Sequence, residues 1–349
     1  MTLAIIAITP GGAALARRLA EALPEATVHL PDGLRTADGC RYFDQPLATL
    51  LPRLFAEGRD LVCIMATGIV VRLLATHLRG KATDPAVVVM DEAGRFAVSL
   101  LSGHLGGANA LALELARISG GTPVITTATD VNGLIAWDEA ARREGFGVEP
   151  VAHIKTLNAL LLRGEKIALV DRRGRLAGYF AEAPGMVACN NFAEALRSAA
   201  GGSVFVTHRL IPNLSEQKNL LLLRPRDLVV GIGCNRGTTA EEIETAVTDT
   251  LHQAFLSPLS IANLATIDAK ADETGLNEFA ARHGWRIEHH SAEALNGVPL
   301  ADPPSPHVLA AVGAQGVCEP AALLSASSRR LLVKKRKHGN VTVAVAEKS

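Results

Sequence analysis

Along this chain the spacing of apolar positions switches repeatedly between strand-like runs and helical periodicity. Leu3–Thr9 is a short apolar run closed by Pro10-Gly11-Gly12, and Ala13–Leu23 then shows helical spacing. Leu61–Ala66 is a second buried run, followed by Thr67-Gly68 and a helical stretch over Ile69–Leu78. Val-rich Ala86–Met90 and Phe96–Leu100 flank an Asp91-Glu92-Ala93-Gly94 turn. A Leu- and Ala-rich helix over Gly106–Ile118 and a short strand over Val124–Thr127 come next. Strands alternating with helices at this spacing predict a doubly wound, mainly parallel α/β sheet for residues 1–136.

The pattern then weakens. Between Trp137 and Arg226 the expected elements are a helix over Ile154–Arg163 and a hairpin of Lys166–Val170 with Leu176–Phe180 around Asp171-Arg172-Arg173-Gly174. Strands over Ser203–Thr207 and Leu220–Leu223 follow. This middle α/β module, 137–226, carries no motif with chemistry of its own and reads as a spacer or lid. A third unit, 227–349, opens on the buried run Leu228–Ile232. A helix follows over Thr238–Leu251, where Thr238/Glu241 or Thr239/Glu242 fit a capping box. Ser260–Ile267, Glu273–His283, Val308–Val312 and Val341–Val345 complete it, with Ala301–Pro306 as a turn-rich loop.

Composition narrows the function classes. Hydrophobic residues are 48% of the 349, enough for a sizeable core, but aromatics are only 4%. Few stacking platforms and balanced charge, 35 basic against 35 acidic residues, argue against a nucleic-acid partner. No uncharged apolar run approaches the roughly 18 residues of a membrane span. The N-terminal apolar run lacks a basic flank and reads as a buried strand. The five cysteines are scattered and form no Cys-x-x-Cys pair, which excludes neither a reactive thiol nor a single ligand but fits neither a disulfide framework nor a zinc knuckle. A reducing cytoplasm is expected.

Several loops combine residue types suited to ligand chemistry. Ser102-Gly103-His104-Leu105-Gly106-Gly107-Ala108-Asn109 lies between a strand and a helix, where doubly wound sheets bind ligands. Gly103, Gly106 and Gly107 let a ligand approach the backbone and leave amides near a helix start free for a carboxylate. His104 exchanges a proton near neutral pH, and Asn109 can donate and accept on one ligand edge. The plainer alternative is that the glycines shape a tight turn. Thr126-Thr127-Ala128-Thr129-Asp130 follows the next strand. Asp130 can orient His104 or act as a base, or simply cap a turn. Thr67-Gly68 can hold an oxyanion at a helix start, with Arg72 pairing a substrate carboxylate or lying on a solvated helix face.

In the last unit, Gly231-Ile232-Gly233-Cys234-Asn235-Arg236-Gly237 leaves a strand without the dinucleotide glycine spacing and reads as a generic anion loop. Lys270 and Glu273 form an acid–base pair, a carboxylate clamp or a surface ion pair. Glu319 complements the start of an Ala-rich helix. His289-His290 read as solvated, and the Arg329–Lys337 charges as an exposed strand edge.

Taken together, Ala66–Arg72, Ser102–Asn109, Ile125–Asp130, Gly231–Gly237, Ala265–Glu273 and Cys318–Leu323 resemble the cobalt-precorrin-5A hydrolase (CbiG) family of cobalamin biosynthesis over nearly the whole chain. Their last unit resembles the CobE type. The resemblance implies a hydrolase that opens the δ-lactone of a cobalt-bearing tetrapyrrole and releases acetaldehyde, giving cobalt-precorrin-5B. It also implies no cofactor beyond the cobalt already in the macrocycle. On that reading His104, Asp130 and Glu273 are the catalytic candidates. Thr67, Gly68, Arg72, Gly103, Gly106, Gly107, Asn109, Thr127, Gly233, Cys234, Asn235 and Lys270 are the substrate-binding ones. The expected partner is the small-molecule tetrapyrrole, with transient contact to neighbouring pathway methyltransferases and a homodimer left open. A non-catalytic carrier of tetrapyrrole intermediates is the alternative from another class. A nucleotide-binding oxidoreductase is a third, against which the missing fingerprint counts.

Overall fold

The computed structural model describes residues 3–80, 83–211, 219–299, 309 and 312–349. It falls into two compact units. One comprises Met1–Arg143, Ile154–Ile167 and Arg175–Val187; the other comprises Glu144–His153, Ala168–Gly174 and Ala188–Ser349.

The first unit is built on a seven-stranded sheet of β1 (Leu3–Ala7), β2 (Thr27–Pro31), β3 (Arg41–Phe43), β4 (Asp60–Ile64), β5 (Val87–Met90), β6 (Phe96–Leu101) and β7 (Thr122–Val124). Their order is β3-β2-β1-β4-β5-β6-β7. Strand alternation sends Ile5, Ala7, Val62 and Ile64 to one face and Ala4, Ile6, Leu61 and Cys63 to the other. Helices α1 (Pro10–Ala22), α2 (Leu47–Ala56), α3 (Thr67–Leu74) and α4 (Ala108–Ser119) cover both faces. Leu15 and Leu19 of α1 pack with Ala112 and Leu115 of α4 on the first face. Leu51 and Leu54 of α2 pack with Val70 and Leu74 of α3 on the second. Both faces are therefore dry, as a mainly parallel sheet requires. Two short helices follow, α5 (Ala128–Val131) and α6 (Trp137–Glu144).

One departure from a fully parallel sheet decides where the candidate residues lie. β1, β2, β3, β4 and β5 are parallel, but β5 and β6 pair antiparallel, and β7 follows β6. The Asp91–Gly94 turn makes this reversal. Gly94 sits at φ +70° and donates to the Asp91 carbonyl at 3.0 Å, while Asp91 Oδ1 and Oδ2 accept from the Ala93 and Phe96 amides. The carboxyl ends of β6 and β7 thus lie at the end of the sheet where β4 and β5 begin: Leu101 pairs with Val87, and Val87 with Leu61.

The middle sheet contains β8 (Gly147–Glu149), β9 (Ile167–Val170), β10 (Met186–Ala188), β11 (Gly202–Val206) and β12 (Leu220–Arg224), in the order β10-β9-β11-β12-β8. Helices α7 (Ile154–Leu162), α8 (Ala177–Phe180) and α9 (Phe192–Arg197) accompany it. The hairpin expected for 166–180 does not form. Its second arm is α8, whose Phe180 stacks on Trp137 with ring centroids 4.0 Å apart. Burying that ring outweighs the strand propensity of a five-residue run.

The last sheet holds β13 (Leu228–Cys234), β14 (Ile261–Ile267), β15 (Ile287–His290), β16 (Leu331–His338) and β17 (Val341–Glu347), in the order β15-β14-β13-β17-β16. It carries α10 (Ala240–Gln253), α11 (Thr274–His283), α12 (Ala292–Asn296) and α13 (Cys318–Ala326). Thr239 caps α10, its Oγ1 accepting from the Glu242 amide at 3.2 Å. The basic run lies on the edge strand β16, as its charge predicts. Gly231 and Gly233 belong to β13 rather than to a loop. A Cβ on Gly231 would stand 1.9 Å from the Cys318 carbonyl oxygen, so this glycine is what lets α13 lie against the strand. The Ala301–Pro306 loop lies outside the described residues, as does most of the Val308–Val312 strand. Leu309 and Val312, the two described residues there, are helical. Among the described residues no helix is long and apolar enough to cross a membrane.

Candidate active site

The loop after β6 is folded by its glycines. Ser102 adopts φ +57° and Gly107 φ +87°. A Cβ on Gly106 would meet the Ser102 Cβ at 2.4 Å, and one on Gly103 would meet Asn109 Oδ1 at 2.7 Å. The Ala108 and Asn109 amides donate to the Ser102 and Gly103 carbonyls at 3.1 and 3.0 Å. These two amides at the start of α4 are therefore used within the loop and not offered to an anion. Packing accounts for Gly103 and Gly106, and the left-handed backbone for Gly107.

That turn presents His104 to two carboxylates. Its Nε2 lies 2.9 Å from Asp130 Oδ2, and Nδ1 lies 3.5 Å from Asp138 Oδ2. Thr129 Oγ1 stands 3.4 Å from Nε2. Asp130 Oδ2 also accepts from Asn109 Nδ2 at 3.1 Å and from Thr127 Oγ1. Asn109 is buried, donates again to Thr127 Oγ1 at 3.0 Å, and accepts from Ser99 Oγ at 2.7 Å. Asn109 and Thr127 thus hold Asp130 and leave no free edge for a ligand. Among the described residues no hydrogen bond reaches Asp130 Oδ1, and that side chain is 35% exposed.

The electrostatics follow from this geometry. Burial works against a charged His104, but the contacts with Asp138 and Asp130 outweigh it and raise its pKa above the usual imidazole value. Burial likewise pushes Asp138 up, and its contacts with His104 and Asn158 more than reverse this, so its carboxyl lies below the usual range. The cluster stabilises an imidazolium between two carboxylates, a group able to give a proton from Nε2 and take it back.

Asp138 is the member that sequence reading missed. It lies on α6, 34 positions beyond His104, in a helix whose Trp-Asp-Glu-Ala-Ala-Arg-Arg sequence resembles any charged helix start. The one local signal is an acidic residue directly after a tryptophan that is itself fully buried.

The other candidates do not join this cluster. Thr67 and Gly68 open α3 after the carboxyl end of β4, and Arg72 follows one turn later, its Nη1 donating to the Gly68 carbonyl at 3.3 Å. The β5–β6 reversal puts His104 at the opposite end of that sheet, about 15 Å away for five residues of strand. They are not the oxyanion partners of His104 that a parallel sheet would have made them.

Glu273, Lys270, Gly233, Cys234 and Asn235 gather at the carboxyl ends of β13 and β14 in the second unit. Lys270 Nζ lies 3.0 Å from Glu273 Oε2, and Gly237 N donates to Glu273 Oε1 at 2.7 Å. Both side chains are buried, 9% and 5% exposed, so the pair is neither a surface ion pair nor an open clamp. Asn235 Nδ2 donates to Asn340 Oδ1 at 2.9 Å, and Gly233 lies under Thr342. Burial raises the half-buried Cys234 thiol, with Lys270 opposing, which disfavours a thiolate. Glu319 lies in the first turn of α13, as expected, and also accepts from the Lys335 amide at 2.9 Å. His290, expected to be solvated, is half-buried, its Nε2 2.9 Å from Ser325 Oγ.

Comparison with known proteins places the chain. Residues 49–130 match the family description Cobalamin synthesis G N-terminal, 135–225 match Cobalamin biosynthesis central region, and 228–346 match Cobalamin synthesis G C-terminus. A cobalt-precorrin-5A hydrolase of Priestia megaterium is 37% identical over 352 residues, spanning 98% of this chain and 94% of the relative. Another, from Salmonella typhimurium strain LT2, is 34% identical over 353 residues, spanning 99% and 98%. Protein CobE of Sinorhizobium sp is 34% identical over 122 residues, 34% of this chain and 79% of CobE. The chain belongs to the cobalamin synthesis G (CbiG) family.

Proposed function

We infer that the chain is a cobalt-precorrin-5A hydrolase of cobalamin biosynthesis. The observation that carries this is the 37% identity to a hydrolase of that name across 98% of the chain. A shared domain would extend over only part of it. The carrier reading has no comparable support, since the full-length relatives are named as hydrolases.

On this reading water adds to the acyl carbon of the δ-lactone, the lactone C–O bond breaks, and a carboxylate and an alcohol result. The alcohol then loses its proton and the C–C bond to the macrocycle breaks. The ring takes the bonding electron pair and a proton, and the two-carbon fragment leaves as acetaldehyde. Each half needs one group that accepts and returns a proton, which is the chemistry His104 and Asp130 offer as a coupled pair. Cobalt enters as part of the substrate, and no resident cofactor is invoked. Thr67–Gly68 is assigned no oxyanion role and Glu273 no acid role, because the first lies at the far end of the sheet and the second has both oxygens engaged.

The test is anaerobic incubation of the purified protein with cobalt-precorrin-5A and trapping of acetaldehyde. Protein-dependent acetaldehyde is expected. Binding of the macrocycle without acetaldehyde would instead establish a carrier.

A further inference from the structure

The proton pair of the N-terminal region is completed from outside that region. Asp138 stands on α6, within residues 135–225 that match the central region of the family, whereas His104 and Asp130 lie within 49–130. Its side chain is 5% exposed. Asn158 of α7 holds it: Asn158 Nδ2 donates to Asp138 Oδ1 at 3.0 Å, and Asn158 Oδ1 accepts from the Trp137 amide at 2.9 Å. Oδ2 is left directed at His104 Nδ1, 3.5 Å away. That separation is long for a hydrogen bond, but such contacts commonly tighten when substrate binds.

The two carboxylates on this ring are unequal. Asp138 is buried and fixed by an amide. Asp130 is 35% exposed. A buried carboxylate on Nδ1 with Nε2 directed outward is the arrangement by which a general acid–base histidine is held in one tautomer and its cation stabilised. Arg142, which passes over Gly107, is paired with Glu139 at 2.8 Å, and Glu139 also binds Arg143 at 2.8 Å. Asp130 and Asp138 are the charged groups that set His104.

We propose that Asp138 is the positioning residue of this site: it accepts from His104 Nδ1–H, fixes the imidazole with Nε2 toward Asp130 and the substrate, and makes the central region part of the catalytic machinery. This assignment rests on the hydrolase reading, in which His104 exchanges the proton.

The experiment follows the His104 imidazole by NMR through a pH titration of the full-length protein, with the signal assigned by its absence in His104→Gln. In the unsubstituted protein His104 titrates above the ordinary imidazole value, and in Asp138→Asn its midpoint moves to lower pH. Asparagine keeps the shape and can still accept from Asn158. With cobalt-precorrin-5A, Asp138→Asn lowers kcat at least about tenfold with KM within about twofold, and Asp138→Glu recovers part of the loss. The limb of the kcat–pH profile that follows His104 shifts to lower pH with it.

A His104 that titrates at or below the ordinary value in the unsubstituted protein overturns the assignment even if the variant fails to fold. So does an unmoved midpoint in Asp138→Asn. The titration needs no substrate. A moved midpoint without acetaldehyde from any form would therefore remove the hydrolase reading and leave the Asp138–His104 coupling standing.

Discussion

Two ionic clusters, one in each unit, are built from similar side chains and have come to different ends. In the first, His104 stands between Asp130 and Asp138, and Asp130 keeps one oxygen without a partner among the described residues. In the second, Lys270 and the Gly237 amide occupy both oxygens of Glu273, and the pair is buried. A group that must trade protons with a substrate needs a face open to it and a pKa close to the working pH. A buried, saturated pair offers neither. It joins the loops after β13 and β14, as does Gly275 of α11, where an added Cβ would lie 2.1 Å from the Thr238 carbonyl oxygen. The difference lies in what surrounds the residues, not in which residues they are.

The comparison breaks if the two clusters respond alike to truncation. The largest effect is expected from His104→Ala, which lowers acetaldehyde release about a hundredfold or more while the denaturation midpoint changes little. A rate within about twofold of the unsubstituted enzyme would remove His104 from the chemistry. Lys270→Ala does the reverse. It strands a buried carboxylate and costs about 3–5 kcal/mol of stability, read from urea unfolding. Normal stability with lost turnover would make Lys270 a substrate group after all. Gly231→Ala sharpens the view of the second unit as scaffold. Its Cβ cannot coexist with the Cys318 carbonyl, and the displacement of α13 is expected to cost about 1–3 kcal/mol.

Smaller effects come from titration. His104 is raised in the folded protein, so its contribution to stability is full below the unfolded value near 6.5 and is lost as pH rises through the folded value. Asp138 is lowered, so its contribution is present above the unfolded value of 3.8 and is lost as pH falls through the folded one. Stability measured against pH in Asp138→Asn should lose the Asp138 dependence and keep a smaller His104 one, which Asp130 sustains. The smallest signal is chemical. Burial pushes the Cys63 thiol up to about 12 and that of Cys318 to about 11, and raises Cys234 as well. Alkylation of all three at neutral pH is expected to be slow in the folded protein and fast in urea. Rapid labelling of Cys234 would show an open loop around Glu273.

Much of the candidate site was legible in the chain. His104 and Asp130 announce themselves through loops rich in glycine, hydroxyl and acidic residues at strand ends. The Asp91–Gly94 turn was also visible, as were the valine runs on either side of it. Its consequence was not. One hairpin in an otherwise parallel sheet carries the His104 loop to the far end from Thr67 and Arg72, because strand direction is a property of pairing and not of any single strand. Gly231 and Gly233 were read as a ligand loop for a related reason. A glycine needed for close approach of a helix has the same letter as one needed for close approach of an anion.

The sequence by itself determined the alternation of strands and helices, the burial of both faces of the first sheet and the family, and it offered the pair of residues that the fold brings together at the candidate site. Those follow from periodicity, turn chemistry and residue type, which are local. Tertiary structure alone decided which carboxylate lies on which ring nitrogen, that α6 supplies one of them, and that Glu273 is sealed while Asp130 is open. Each of these depends on residues far apart in the chain meeting at a few ångströms, and on how much water their meeting excludes.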